Sequence, residues 1–99
     1  MPWKPQKWPS AGVAMKVLIP SALHSYTGGS KAEADGSTLA AALADLDRRY
    51  PGIRFRMIDE QNRIRRHIRF FVDGVQVVDL AHPLDPNGEL IIVQALSGG

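Results

Sequence analysis

Apolar positions follow two different rhythms along this chain, and the places where one gives way to the other predict its elements. Met15 to Ile19 is apolar and rich in β-branched residues, and it stops at Pro20, which cannot donate to a ladder; this predicts a first strand. Ser21 to Ser30 is polar and ends in Thr27-Gly28-Gly29-Ser30, a turn composition, so a loop is expected there. Lys31 to Asp35 alternates charge with alanine and reads as a second, edge-like strand, making a hairpin with a long loop. The period then changes. Leu39, Leu43 and Leu46 fall at i, i+4 and i+7, one stripe of a helix that Ala40, Ala41, Ala42 and Ala44 favour. Ser37 or Thr38 is placed to cap its first-turn amides, Arg48 and Arg49 suit the negative end of its dipole, and Pro51-Gly52 ends it.

Beyond the helix, Ile53, Phe55 and Ile58 are expected to tuck under the sheet through a short helical turn, with Gln61-Asn62 at a loop tip. His67 to Asp73 alternates, with Ile68, Phe70 and Val72 on one face; Asp73-Gly74 is a strong hairpin signal, and Val75 to Val78 is the strand it leads to. Pro83 to Gly88 is a turn region. Glu89 to Ala95 is a final strand, with Leu90 and Ile92 on one face and Ile91 and Val93 on the other. The order β-β-α-β-β-β predicts an α+β fold: a mixed four- to five-stranded sheet with one main helix packed on one face, the β-grasp (ubiquitin-like) arrangement. The first and last strands are the most apolar, which places them as a central parallel pair. Leu39, Leu43 and Leu46 would then pack on Val17, Ile19, Ile68, Phe70, Val72, Leu90 and Ile92. Residues 1–14 carry Pro2, Pro5 and Pro9 and read as a flexible arm; residues 15–95 are the domain, and 96–99 a flexible tail.

Composition narrows the possibilities further. Ninety-nine residues suffice for one domain, and 44% apolar with 22% charged residues is ordinary for a globular chain. The chain has no cysteine, which excludes a disulfide framework, a thiolate metal site and a cysteine nucleophile. No run approaches the roughly 18 apolar residues that would cross a bilayer, and the proline- and tryptophan-rich arm lacks the apolar centre of a signal peptide, so a cytoplasmic protein with no membrane partner is expected. Net charge is only +2, but it is unevenly spread: eight arginines stand against Asp59 and Glu60 from Arg48 to Arg69, whereas four acids and no lysine or arginine follow from Phe70 to Gly99. The basic run Arg63-Ile64-Arg65-Arg66-His67-Ile68-Arg69 is expected to lie within a strand that splits its charges between two faces. With no aromatic stacking platform beside it, it reads as a solvated face or a patch that steers a partner, and no nucleic acid is expected. His24, His67 and His82 have no metal-ligand spacing; Asp45 with Asp47 and Asp59 with Glu60 are not placed in a cleft; no phosphate loop or Ser-His-Asp order is present. No catalytic residue and no metal site are expected, and the protein does not read as an enzyme.

Four pieces of the sequence together resemble the MoaD/ThiS family of ubiquitin-like sulfur carriers: the opening strand Lys16-Val17-Leu18-Ile19-Pro20, the helix start Gly36-Ser37-Thr38-Leu39, the hairpin Phe71-Val72-Asp73-Gly74 and the terminal Gly98-Gly99. The long first loop Ser25 to Lys31, with Asp45-Leu46, Tyr50 and Gly52-Ile53, looks like the CysO-type carriers of cysteine biosynthesis. The resemblance covers Met15 to Gly99, and only the diglycine is diagnostic within it. It implies that an E1-like adenylyltransferase of the MoeB/ThiF type uses ATP to activate the Gly99 carboxylate, and that sulfide or a persulfide donor displaces AMP to leave a thiocarboxylate. A sulfur-accepting biosynthetic enzyme then takes the sulfur for cysteine, thiamine or molybdenum cofactor (molybdopterin). The chain itself would bind no cofactor, ATP being used by the activating partner. Two other uses of the same tail remain open, as a ubiquitin-like modifier joined through Gly99 to lysines and as the small subunit of molybdopterin synthase.

The physical reason for such a tail is clear. A reacting carboxylate that must enter another protein is best carried by residues without a Cβ, because they pass a narrow channel and adopt dihedrals barred to others. Gly99 is the expected site of adenylation and thiocarboxylate formation, and Gly98 its required small neighbour. With the helix on one face, Phe71, Ile91 and Val93 should point outward on the other and, with Leu96, form the partner-binding surface.

Overall fold

A computed structural model describes residues 14–95. Apart from Ala14, the arm expected over residues 1–14 lies outside them, as does the tail 96–99. The strands are β1 (Met15–Leu18), β2 (Lys31–Ala34), β3 (Ile68–Val72), β4 (Val75–Val77) and β5 (Glu89–Gln94). The helices are α1 (His24–Thr27), α2 (Leu39–Arg49) and α3 (Ile53–Met57). The five strands form one sheet in the order β2-β1-β5-β3-β4, with β1 and β5 parallel at the centre and every other pair antiparallel. This is the mixed sheet and β-grasp order that the hydrophobic pattern implies. The two most apolar strands occupy the middle because central strands are covered by neighbours on both edges.

One face of the sheet is covered. Leu39, Ala42, Leu43 and Leu46 of α2 belong to a single buried cluster with Val17, Ile68, Phe70, Leu90 and Ile92. Thr38, rather than Ser37, caps α2, its Oγ1 accepting from the Ala41 amide at 3.2 Å. The remaining first-turn amides have a less local solution. Leu39 N–H donates to the His82 carbonyl at 2.9 Å and Ala40 N–H to the Leu80 carbonyl at 2.8 Å, while Leu84 N–H donates back to the Ser37 carbonyl at 2.9 Å. The β4–β5 connection thus closes the helix end that would otherwise hold orphan donors.

Three local expectations are corrected. The first loop is folded: a 3-10 turn at Ser21–Leu23 runs into α1, Leu23 is buried, and His24 Nε2 donates to the Ile19 carbonyl at 2.9 Å before Gly28, at φ 80°, ends the turn. Phe55 does not tuck under the sheet. In a helix of 100° per residue, Ile53 and Met57 share a side and are both fully buried, which turns Phe55 outward to 54% exposure. Ile58 is buried as expected. Finally, the basic run is mostly not strand. Ladder pairing starts only at Ile68; before it, Ile64 makes an isolated bridge to Ile58 and Arg65 N–H donates to the Met57 carbonyl at 2.9 Å.

The Asp73-Gly74 turn is as read. Both residues have positive φ, 50° and 87°, which lets a two-residue loop join β3 to β4 with the twist of the strands. Asp73 also accepts the Glu89 amide on Oδ1 at 3.0 Å, tying this turn to the start of β5.

Candidate functional site

The uncovered face of the sheet is built by the same alternation that builds the core. In β3 and β5 the inward residues Ile68, Phe70, Val72, Leu90 and Ile92 are buried, so Arg69, Phe71, Ile91 and Val93 stand on the opposite side. Strand register brings them together. Phe71 is opposite Ile91, and Arg69 opposite Val93. Ile91 is in turn opposite Leu18 on β1. Lys31 flanks this row at the β2 edge and Gln76 at the β4 edge, so one line of side chains, Lys31, Leu18, Ile91, Phe71 and Gln76, crosses all five strands. With strands about 4.8 Å apart, the apolar centre of the row is about 10 Å wide. Phe71 and Ile91 are half-buried and Val93 is 38% exposed.

Three of the four expected docking residues therefore share one surface, and Leu18 and Arg69 join them. Leu18 was legible in the alternation of β1, where Lys16 and Leu18 lie opposite to the buried Met15 and Val17, but its neighbour across the ladder was not. Leu96, Gly98 and Gly99 lie outside the described residues. The strand that leads to them is secured to its end: Ala95 N–H donates to the His67 carbonyl at 2.8 Å. From Ala95, four residues at 3.3–3.6 Å each give the chain end about 13 Å of reach. Val93 is two residues before Ala95 on the outer face, so the apolar row and the exit of the tail adjoin.

A second surface flanks this exit. Arg56 Nε donates to the Tyr26 hydroxyl at 2.8 Å, and Arg65 Nε to the Phe55 carbonyl at 2.7 Å, with the Arg65 guanidinium 4.6 Å from the centre of the Phe55 ring. An aromatic ring does accompany the basic run, supplied from α3. The carboxylates nearest the arginines are committed. At Asp59, the Arg63 backbone amide, which outweighs the opposing desolvation, acts with the Gln61 amide and the charges of Arg63 and Arg65 to hold the carboxyl below its ordinary value. Among the described residues, no group of three or more histidines, cysteines or acids is placed to hold a metal, and no helix is long and apolar enough to cross a membrane.

A model described as the ThiS family matches residues 17–99, from β1 through the diglycine. The chain belongs to the ThiS family. Over 89 residues it is 33% identical to the sulfur carrier protein CysO of Mycobacterium tuberculosis, an alignment covering 84% of this chain and 96% of the relative. Among solved structures, a chain of the Amycolatopsis orientalis BexX/CysO complex matches with a TM-score of 0.79 at 31% identity, over 87% of this ThiS-family chain and 100% of that one. The small archaeal modifier protein 1 of Haloferax volcanii matches with a TM-score of 0.74 at 19% identity, over 86% and 100%, a likeness of fold alone. ThiS-family proteins of this kind are small carriers and not enzymes.

Proposed function

We propose that this ThiS-family chain is a sulfur carrier whose working group is the carboxylate of Gly99, and that its sulfur goes to cysteine biosynthesis. The observation that carries the reading is the family match, which spans residues 17–99, from β1 to Gly98-Gly99. The 33% identity to CysO sulfur carriers favours the cysteine branch over the thiamine and molybdopterin branches. In the proposed cycle, an E1-like adenylating partner docks on the row formed by Leu18, Ile91 and Phe71 and threads the tail. The Gly99 carboxylate attacks the α-phosphorus of ATP, forming the acyl-adenylate and releasing pyrophosphate. Sulfide then attacks the Gly99 carbonyl carbon; the new C–S bond replaces the C–O bond to AMP, which leaves, and the thiocarboxylate remains. This chain supplies placement and an unhindered acyl end, while ATP binding and proton transfers belong to the partner.

The test is mass spectrometry of the chain after incubation with the partner, ATP and sulfide. The expected product is heavier by the replacement of one oxygen by sulfur. Gly99→Ala, and a chain with one residue added after Gly99, are expected to give none of it. A variant that still acquired sulfur would overturn the assignment of Gly99. A chain found instead as isopeptide adducts, with no thiocarboxylate, would make it a modifier.

A further inference from the structure

Some arginines of this protein are paired with carboxylates and others are not. Arg48 and Arg49, at the end of α2, are paired with Asp45 and Asp35, and Arg63 faces Asp59. Among the described residues, Arg56 and Arg66 form no ion pair, and neither does Arg65, although its charge acts on Asp59. Arg56 and Arg65 instead line a groove of about 460 Å³ together with Tyr26, Phe55, His67 and Gln94, and none of the groove's lining residues is acidic. The cations are held in place: Tyr26 fixes Arg56, and the Phe55 ring and carbonyl fix Arg65. Much of the side-chain entropy that ordinarily weakens an exposed ion pair is therefore already lost before any ligand arrives.

Position gives the groove a purpose. Gln94 is the last residue of β5 and lines the groove, and the His67 carbonyl receives the Ala95 amide, so the described chain ends at the rim of the groove. A protein that encloses Gly99 has part of itself within about 13 Å of Ala95, close enough to reach this rim. We propose that an acidic segment of the protein that takes up the tail lies in the groove between Arg56 and Arg65. This rests on the reading that the tail is threaded into a partner, and it adds the chemistry by which that partner is oriented. A polypeptide is favoured over a nucleic acid because the exposed Phe55 ring already carries the Arg65 guanidinium over one face, leaving at most one face for a base rather than a series of stacking rings.

The experiment titrates a short polyglutamate peptide into the full chain labelled with ¹⁵N, at low and at high salt. The expected result is a set of amide shifts centred on Tyr26, Phe55, Arg56, Arg65 and His67. Arg56→Glu, and separately Arg65→Gln, should weaken binding about tenfold with unchanged melting temperature, and salt should weaken it further. A polyglutamine peptide should cause no shifts. Shifts spread equally over Arg48 and Arg49, or equal binding of polyglutamine, would overturn the proposal. So would tighter binding of a single-stranded oligonucleotide of the same charge. The readout does not use Gly99: a Gly99→Ala chain should bind the peptide as the native chain does, so failure here and failure of thiocarboxylate formation are separate results.

Discussion

At the residue scale, glycine serves two distinct purposes in this chain. Gly36 has an ordinary φ, but a Cβ there would stand 2.4 Å from the Ala42 nitrogen and 2.7 Å from the Ala41 carbonyl carbon, both backbone atoms of α2. Gly74 is the reverse: nothing lies within 4 Å of the missing Cβ, and the demand is φ 87°. Gly36→Ala must push the connection away from a rigid helix and is expected to cost about 3 kcal/mol or more, whereas Gly74→Ala carries only left-handed strain, about 1 kcal/mol. Urea unfolding of the two variants checks this. Equal losses would mean that the helix yields to the new methyl group. Both glycines were recognised in the sequence as helix-start and turn signals, but only the packed chain shows that the first is required for space and the second for conformation.

At the scale of elements, α2 is anchored to β2 by one carboxylate. Asp45 accepts from the Asp35 amide at 2.8 Å and from Arg49 Nε at 2.8 Å, and it also bonds Arg48; Arg49 reaches on to Asp35 at 3.2 Å. Burial by itself raises the Asp45 carboxyl, but the Asp35 amide, the two arginine hydrogen bonds and the Arg49 charge together hold it below its ordinary value of 3.8. The folded state thus binds this proton less readily than the unfolded state. The stabilisation is complete above the unfolded value and is lost as pH falls through 3.8 and the lower folded value. Urea midpoints at neutral pH and in the window below pH 3.8 should fall for the native chain and fall less for Asp45→Asn, which starts from a lower midpoint. Parallel pH profiles would assign the acid sensitivity elsewhere, with Asp59 the next candidate.

At the scale of the whole molecule, the proposed function has the sheet separate stability from recognition. Its inner face meets α2, while its outer face carries Leu18, Ile91 and Phe71 in one row leading toward Val93 and the exit of the tail. Phe71→Asp places a charge within that apolar row without entering the buried cluster. It should leave the chain folded and weaken binding to the activating partner by about tenfold or more, as central aromatic contacts usually do. Calorimetric titration against that partner measures the change, and an unaltered affinity with an intact melting curve would move the docking surface off this face.

The apolar run of β1 ended by Pro20, alternation in β3 and β5, the leucine spacing of α2 and the Asp73-Gly74 pair were sufficient to establish strands, helix, hairpin and the inner and outer faces, because each depends on local composition, on a period of two or 3.6, or on a local dihedral. The sequence also marked Gly98-Gly99 and the outward Phe71, Ile91 and Val93. Tertiary structure alone decided what joins distant segments. It placed Leu18 beside Ile91, closed the start of α2 with the His82 and Leu80 carbonyls, turned Phe55 out so that Met57 could fill the core, and brought Tyr26 and Phe55 to the arginines near the end of β5. Such pairings arise from how the chain closes on itself, and neighbouring residues along the sequence carry no record of them.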